Sequence, residues 1–187
     1  MKRCHTLTAS LAGAALFALL PVSFLSAQTH TAAVVTSAAH VSPEVQAYLD
    51  QGDALAAEGR YGAARREYRA AAELLRAEGK LPMKAMRRIA NSYYFEGRYQ
   101  TAGKLLIELA DEAASYGELR CQVWALADAA WLAGLAGDKI DMERRLVRLE
   151  RLLTSPFLPA ATREQIRSQR LTSIEAGRKL AILPDAH

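Results

Sequence analysis

Gly97-Arg98-Tyr99 lies between two apolar stretches of helical period, and the pattern recurs. Gly59-Arg60-Tyr61 stands 38 residues before it, and Gly137-Asp138-Lys139 stands 40 residues after it. Glycine suits the left-handed conformation at a helix end, where other side chains are strained. A turn of this kind repeating at a period of about 40 residues is the mark of helical hairpins stacked in series.

Each turn separates two segments with apolar residues three and four apart, so each segment buries one stripe. The first hairpin spans about 43–78. Its stripes are Val45, Tyr48, Leu49, Gly52, Leu55 and Ala56, then Ala64, Tyr68, Ala71, Leu74 and Leu75. Ser42-Pro43-Glu44 opens it with a capping oxygen, a proline at the first helical position and an acid in the first turn. Arg65, Arg66, Glu67, Arg69 and Glu73 read as its solvated, charge-paired side. The second hairpin, about 82–115, carries Met86, Ile89, Ala90 and Tyr93, then Ala102, Leu105, Leu106, Leu109 and Ala113. The third, about 118–153, carries Leu119, Val123, Leu126, Ala129, Ala130 and Ala133, then Met142, Leu146, Leu149 and Leu153. A last helix is expected over about 162–182, with Thr162 and Gln165 as a capping box. Its apolar side, Ile166, Leu171, Ile174, Leu180 and Ile182, would close the open end of the array.

With the turns aligned, Gly52, Ala90 and Ala130 correspond as small residues where two helices approach closely. Ala64, Ala102 and Met142 correspond after the turn, followed by Tyr68, Leu106 and Leu146, then by Ala71, Leu109 and Leu149. This order of bulky and small positions resembles the tetratricopeptide repeat (TPR) over about residues 44–153. The first repeat matches best, and the third is degenerate at Lys139 and Met142. The usual repeat is about 34 residues, and four extra residues are about one helical turn, which keeps the buried face in register. The fold class expected is therefore all-α: a right-handed superhelix of TPR-like antiparallel hairpins with a C-terminal capping helix.

At 51% hydrophobic residues with few prolines and glycines, the chain of 187 residues can bury a core. Residues 1–27 read as a signal peptide: Lys2 and Arg3, an apolar run over 11–20, and small residues at Leu25-Ser26-Ala27 before Gln28. The other reading is an uncleaved anchor, against which Pro21 argues. Cys4 precedes the apolar run, so no lipoprotein site is expected. Residues 28–42 read as a flexible linker. Cleavage would lower the formal charge from +4 to +2, so nucleic acid is not an expected partner. Export to the periplasm or outside the cell is expected, with Cys121, the remaining cysteine, read as a small core residue.

Residues 41–186 contain no histidine, which removes the usual general base and the commonest metal ligand. Gly-x-Gly phosphate loops are absent from the repeats. Neither enzyme activity nor a cofactor is expected. The TPR resemblance implies that the first helix of each hairpin lines a concave groove that binds a protein or peptide. Its stripes are then Gln46, Leu49, Asp53 and Ala56; Lys84, Arg87, Asn91, Tyr94 and Phe95; and Trp124, Ala127, Asp128, Trp131 and Leu135. From these, Lys84, Arg87, Asn91, Tyr94, Trp124, Asp128 and Trp131 are the candidate partner-binding residues. Arg87 with Asn91 resembles part of the set by which some TPR domains grip a peptide's terminal carboxylate, although Asp128 stands near where a further cation belongs.

Two readings of the tryptophans differ in structure. Open-groove binding leaves both indoles exposed, whereas a last helix folded back over Trp131 makes them core. The second belongs to a compact module that would dock peripherally on an envelope membrane or complex. Its basic C-terminal face would hold Arg144, Arg145, Arg148, Arg151, Arg163, Arg167 and Arg170.

Overall fold

A computed structural model describes residues 41–175, which lie within one unit of the chain, residues 39–187. The signal peptide over 1–27, most of the linker over 28–42 and the end of the capping helix lie outside the described residues. The described chain is all-α, with helices α1 (Pro43–Ala57), α2 (Tyr61–Ala77), α3 (Met83–Phe95), α4 (Tyr99–Ser115), α5 (Leu119–Leu135), α6 (Lys139–Leu153) and α7 (Ala160–Ile166). A π-helical turn, Arg167–Leu171, continues α7.

The turns come from local chemistry. Gly97 has φ of 73°. Its N–H donates to the carbonyl of Tyr94 at 2.9 Å, and the N–H of Arg98 donates to that of Tyr93 at 2.9 Å. This pair of bonds is the Schellman closure, and it satisfies carbonyls that the helix end would orphan. Gly59, Gly79, Gly117 and Gly137 repeat it. At the start of α1, Ser42 Oγ accepts from the N–H of Val45 at 3.3 Å with Pro43 at the first helical position. At the start of α6, Asp138 Oδ1 accepts from Asp141 at 2.9 Å.

From α1 to α6, each helix packs chiefly on the one before it and the one after it, and α7 with its π turn packs on α5. The fully buried residues Val45, Leu49, Leu109, Val123, Leu126, Leu149 and Ile166 form one continuous core. Each such aliphatic side chain contributes about 1.5–3 kcal/mol by leaving water. Gly52 is small for a reason of space: a Cβ there would lie 2.3 Å from Cε1 of Tyr68. Helix α5 is buried on most sides, Ala125 to Ala130 without a break, because α4, α6 and the α7 segment surround it.

Three expectations need correction. Thr162 does not cap the last helix; α7 begins two residues earlier, after Pro159, and Thr162 is buried inside it. Arg65 is not on a solvated side. It is buried against the next hairpin, donating to Ser92 Oγ at 3.3 Å and Glu96 Oε1 at 2.8 Å with its guanidinium over Tyr93. Arg145 is likewise buried, donating to the carbonyl of Ala129 at 2.6 Å and pairing with Asp141. Gly103 makes this possible, since a Cβ there would meet the Arg145 guanidinium at 2.6 Å.

Candidate functional site

The first helices of the three hairpins share a face joined by ion pairs. Arg88 of α3 forks onto Asp53 of α1, with both nitrogens 2.7 Å from carboxylate oxygens. Tyr68 of α2 donates to the same carboxylate at 2.8 Å. Asp53 therefore holds its proton less tightly than an ordinary carboxyl, chiefly because of the Arg88 hydrogen bonds. Tyr68 holds its proton more tightly than a free phenol, through burial first and the bond to Asp53 second. On the opposite face, Arg76 of α2 forks onto Glu112 of α4, and Arg148 of α6 pairs with Asp111 of α4.

Between α3 and α5 the pairing is tighter. Arg87 donates to Asp128 Oδ2 at 2.6 Å. Arg170, on the π turn, donates through Nε to Asp128 Oδ1 at 2.5 Å and lays its guanidinium 5.3 Å from the centre of the Trp131 ring. One buried carboxylate thus holds two arginines. Arg87 is occupied by this internal acid, so the expected Arg87–Asn91 grip on a ligand carboxylate is not what the geometry presents. Asp128 takes the place of the missing cation because its partner cations come from within the chain.

Aromatic rings run across the same face. Tyr61 and Phe95 stack with centroids 6.0 Å apart, Phe95 meets Tyr94 at 5.3 Å, and Tyr94 meets Trp131 at 5.5 Å. Two cavities flank this line. One of about 560 Å³ lies between α1 and α3, with Asp53, Ala56, Arg88, Asn91 and Phe95 in its wall. The other, about 250 Å³, lies between α3 and α5, with Arg87, Asn91, Tyr94, Asp128, Trp131 and Arg170 in its wall. Asn91 and Phe95 border both.

Of the candidate residues, Arg87, Asn91, Tyr94, Asp128 and Trp131 come together around the smaller cavity. Lys84 is exposed and Trp124 half-buried, and neither borders the two cavities. Leu49 and Ala127, expected to line the groove, are core. Trp131 is half-buried beneath Arg170, so the α7 segment covers the α5 end of the face, and among the described residues no part of that segment borders the cavity between α1 and α3. Five arginines of the expected basic face are held within the fold: Arg145, Arg148, Arg163 and Arg170 by hydrogen bonds and Arg144 by an ion pair with Asp141 at 3.6 Å. Arg170, expected on the basic face, carries one sequence signal for its packed position: it stands four residues from both Ile166 and Ile174.

Among the described residues, no cluster of ligating side chains suits a metal ion, and no helix is long and apolar enough to cross a membrane. The chain matches no protein-family model, no curated protein and no solved structure.

Proposed function

We propose that this chain is an exported, TPR-like helical scaffold that binds an extended protein or peptide segment along the face of α1, α3 and α5, without catalysis. In this reading the hairpins form a right-handed superhelix, and that face is its concave side. The observation that carries the reading is the junction of two cavities at Asn91 and Phe95. Phe95 is 65% exposed although it is large and apolar, and Asn91 is exposed beside it, its side-chain amide without a hydrogen-bond partner among the described residues. Exposed aromatic anchors beside a polar group that can hydrogen-bond a peptide backbone are the usual energetic centre of an interface. Support for a TPR-like repeat comes from the recurring turn and from Gly52 packing under Tyr68. Export rests on the basic and apolar character of residues 1–27.

The test is a peptide-display selection on the purified chain, followed by Kd measurement for wild type, Phe95→Ala, Asn91→Ala and Val147→Ala, the last lying half-exposed on the opposite layer. The first two are expected to weaken binding about tenfold or more, and the third to leave it unchanged. Equal affinity across all four would remove this face as the site.

A further inference from the structure

The contacts of Arg170 identify what the smaller cavity accepts. Its guanidinium stacks over an indole and its Nε meets a buried carboxylate, two interactions that suit arginine's planar, delocalised cation. Tyr94, 5.5 Å from Trp131 and tilted 36° to it, adds a second aromatic wall. The cavity of about 250 Å³ adjoins this cation-lined corner, so there is room for a ligand to approach beside Arg170. Arg87 holds the other oxygen of Asp128, so the carboxylate stays paired if Arg170 leaves. The π turn carrying Arg170 has no fully buried residue of its own: Leu171 packs partly buried on the core, and the core residues Ile166 and Ile174 anchor the turn on either side. π-helical turns are rare and tend to occur at functional sites.

We infer that Asp128, Trp131 and Tyr94 form a guanidinium-recognition site, filled in the free chain by the chain's own Arg170, which an arginine side chain of a bound peptide displaces. The inference rests on the peptide-binding reading and names the residue such a peptide carries at this subsite. It also reverses the polarity suggested by Arg87 and Asn91: the subsite takes a cation, not a carboxylate.

Arg170→Ala empties the site and leaves Asp128 paired with Arg87. The probes are N-acetylarginine amide and its neutral isostere N-acetylcitrulline amide, read by tryptophan emission and by calorimetry. Arg170→Ala is expected to bind the arginine probe about tenfold more tightly than wild type, since no internal competitor remains. The citrulline probe is expected to bind neither protein, and Asp128→Asn in the Arg170→Ala background is expected to abolish arginine binding. Equal binding of both probes to Arg170→Ala, or binding of neither, overturns the inference. Circular dichroism checks folding, and Arg170→Gln replaces Arg170→Ala if the latter is unfolded. Wild type provides an independent readout: saturating arginine probe is expected to speed hydrogen exchange over residues 160–175, and unchanged exchange counts against displacement. If the probes fail while display-selected peptides still depend on Phe95, this inference alone falls. If that dependence is also absent, the peptide-binding reading falls with it.

Discussion

Arg87 and Asp128 are 41 residues apart in sequence and 2.6 Å apart in space, joining the second hairpin to the third through a carboxylate that is nearly excluded from water. Arg170 meets the other oxygen of the same carboxylate. Removing the acid therefore affects two cations, whereas removing one arginine leaves the acid paired. Asp128→Ala is expected to cost about 2–3 kcal/mol, below the full penalty for a buried pair because both arginines retain a route to water. Arg87→Ala is expected to cost less, and the double variant to cost less than the sum. Urea unfolding of the four proteins checks this, and strict additivity would show that the pair is not coupled.

Two glycines of the first hairpin predict opposite outcomes for the same substitution. A Cβ on Gly52 would stand 2.3 Å from a Tyr68 ring whose hydroxyl is tied to Asp53, so the ring cannot simply swing away. Gly52→Ala is expected to destabilise by about 2 kcal/mol. Gly62 is exposed near the start of α2, and the nearest atom to its added Cβ is an Arg65 nitrogen at 3.8 Å. Gly62→Ala is expected to stabilise by about 0.5 kcal/mol through reduced freedom of the unfolded chain. Thermal melts of the two variants settle the signs.

The Asp53 cluster makes stability depend on pH at both ends. The Arg88 hydrogen bonds lower the folded-state pKa of Asp53, so between the folded and unfolded values the unfolded chain binds more protons. Its contribution is complete above about pH 5 and is lost as pH falls through the folded pKa. Asp53 keeps 45% of its side chain exposed, and screening limits the effect to about 0.5–1 kcal/mol. Burial and the bond to Asp53 raise the pKa of Tyr68, so its contribution is complete below about pH 10 and is lost at higher pH. Asp53→Asn is expected to flatten the fall of Tm between about pH 5 and pH 2. An unchanged slope would show that the pair does not couple to folding.

How far the chain was legible follows from the range of each interaction. Gly59, Gly97 and Gly137 act through bonds within six residues, so the sequence displays them directly, and with them the hairpin boundaries. Gly52 was readable as a close approach because the repeat register puts it opposite Tyr68. Arg65 and Arg87 were not readable as paired, nor Arg145 as buried, because Glu96, Asp128 and the Ala129 carbonyl lie on other elements. A charge pattern three or four apart looks the same whether it faces water or the next hairpin. The start of the last helix was misplaced because Thr162 and Gln165 satisfy a capping pattern, whereas Pro159 opens the helix without any side-chain cap.

Cys121 tests the burial of α5 directly. It is a free thiol in the first turn of that helix, 6% exposed, and burial is the main cause pushing its pKa up to about 11. At pH 8 that leaves roughly one thiolate in a thousand, and the thiolate is the species that reacts. The folded chain is therefore expected to react slowly with a disulfide reagent such as Ellman's. Labelling in denaturant is expected to be faster by at least about two orders of magnitude, because an unfolded cysteine titrates near pH 8.5. The Arg87 charge opposes the shift without reversing it. Arg87→Ala is thus expected to slow labelling further, provided that the variant stays folded. Fast, stoichiometric labelling of the native protein would mean that the start of α5 opens readily. The packing of α5 against α4 and α6 would then be looser than the burial of Cys121, Val123 and Leu126 implies.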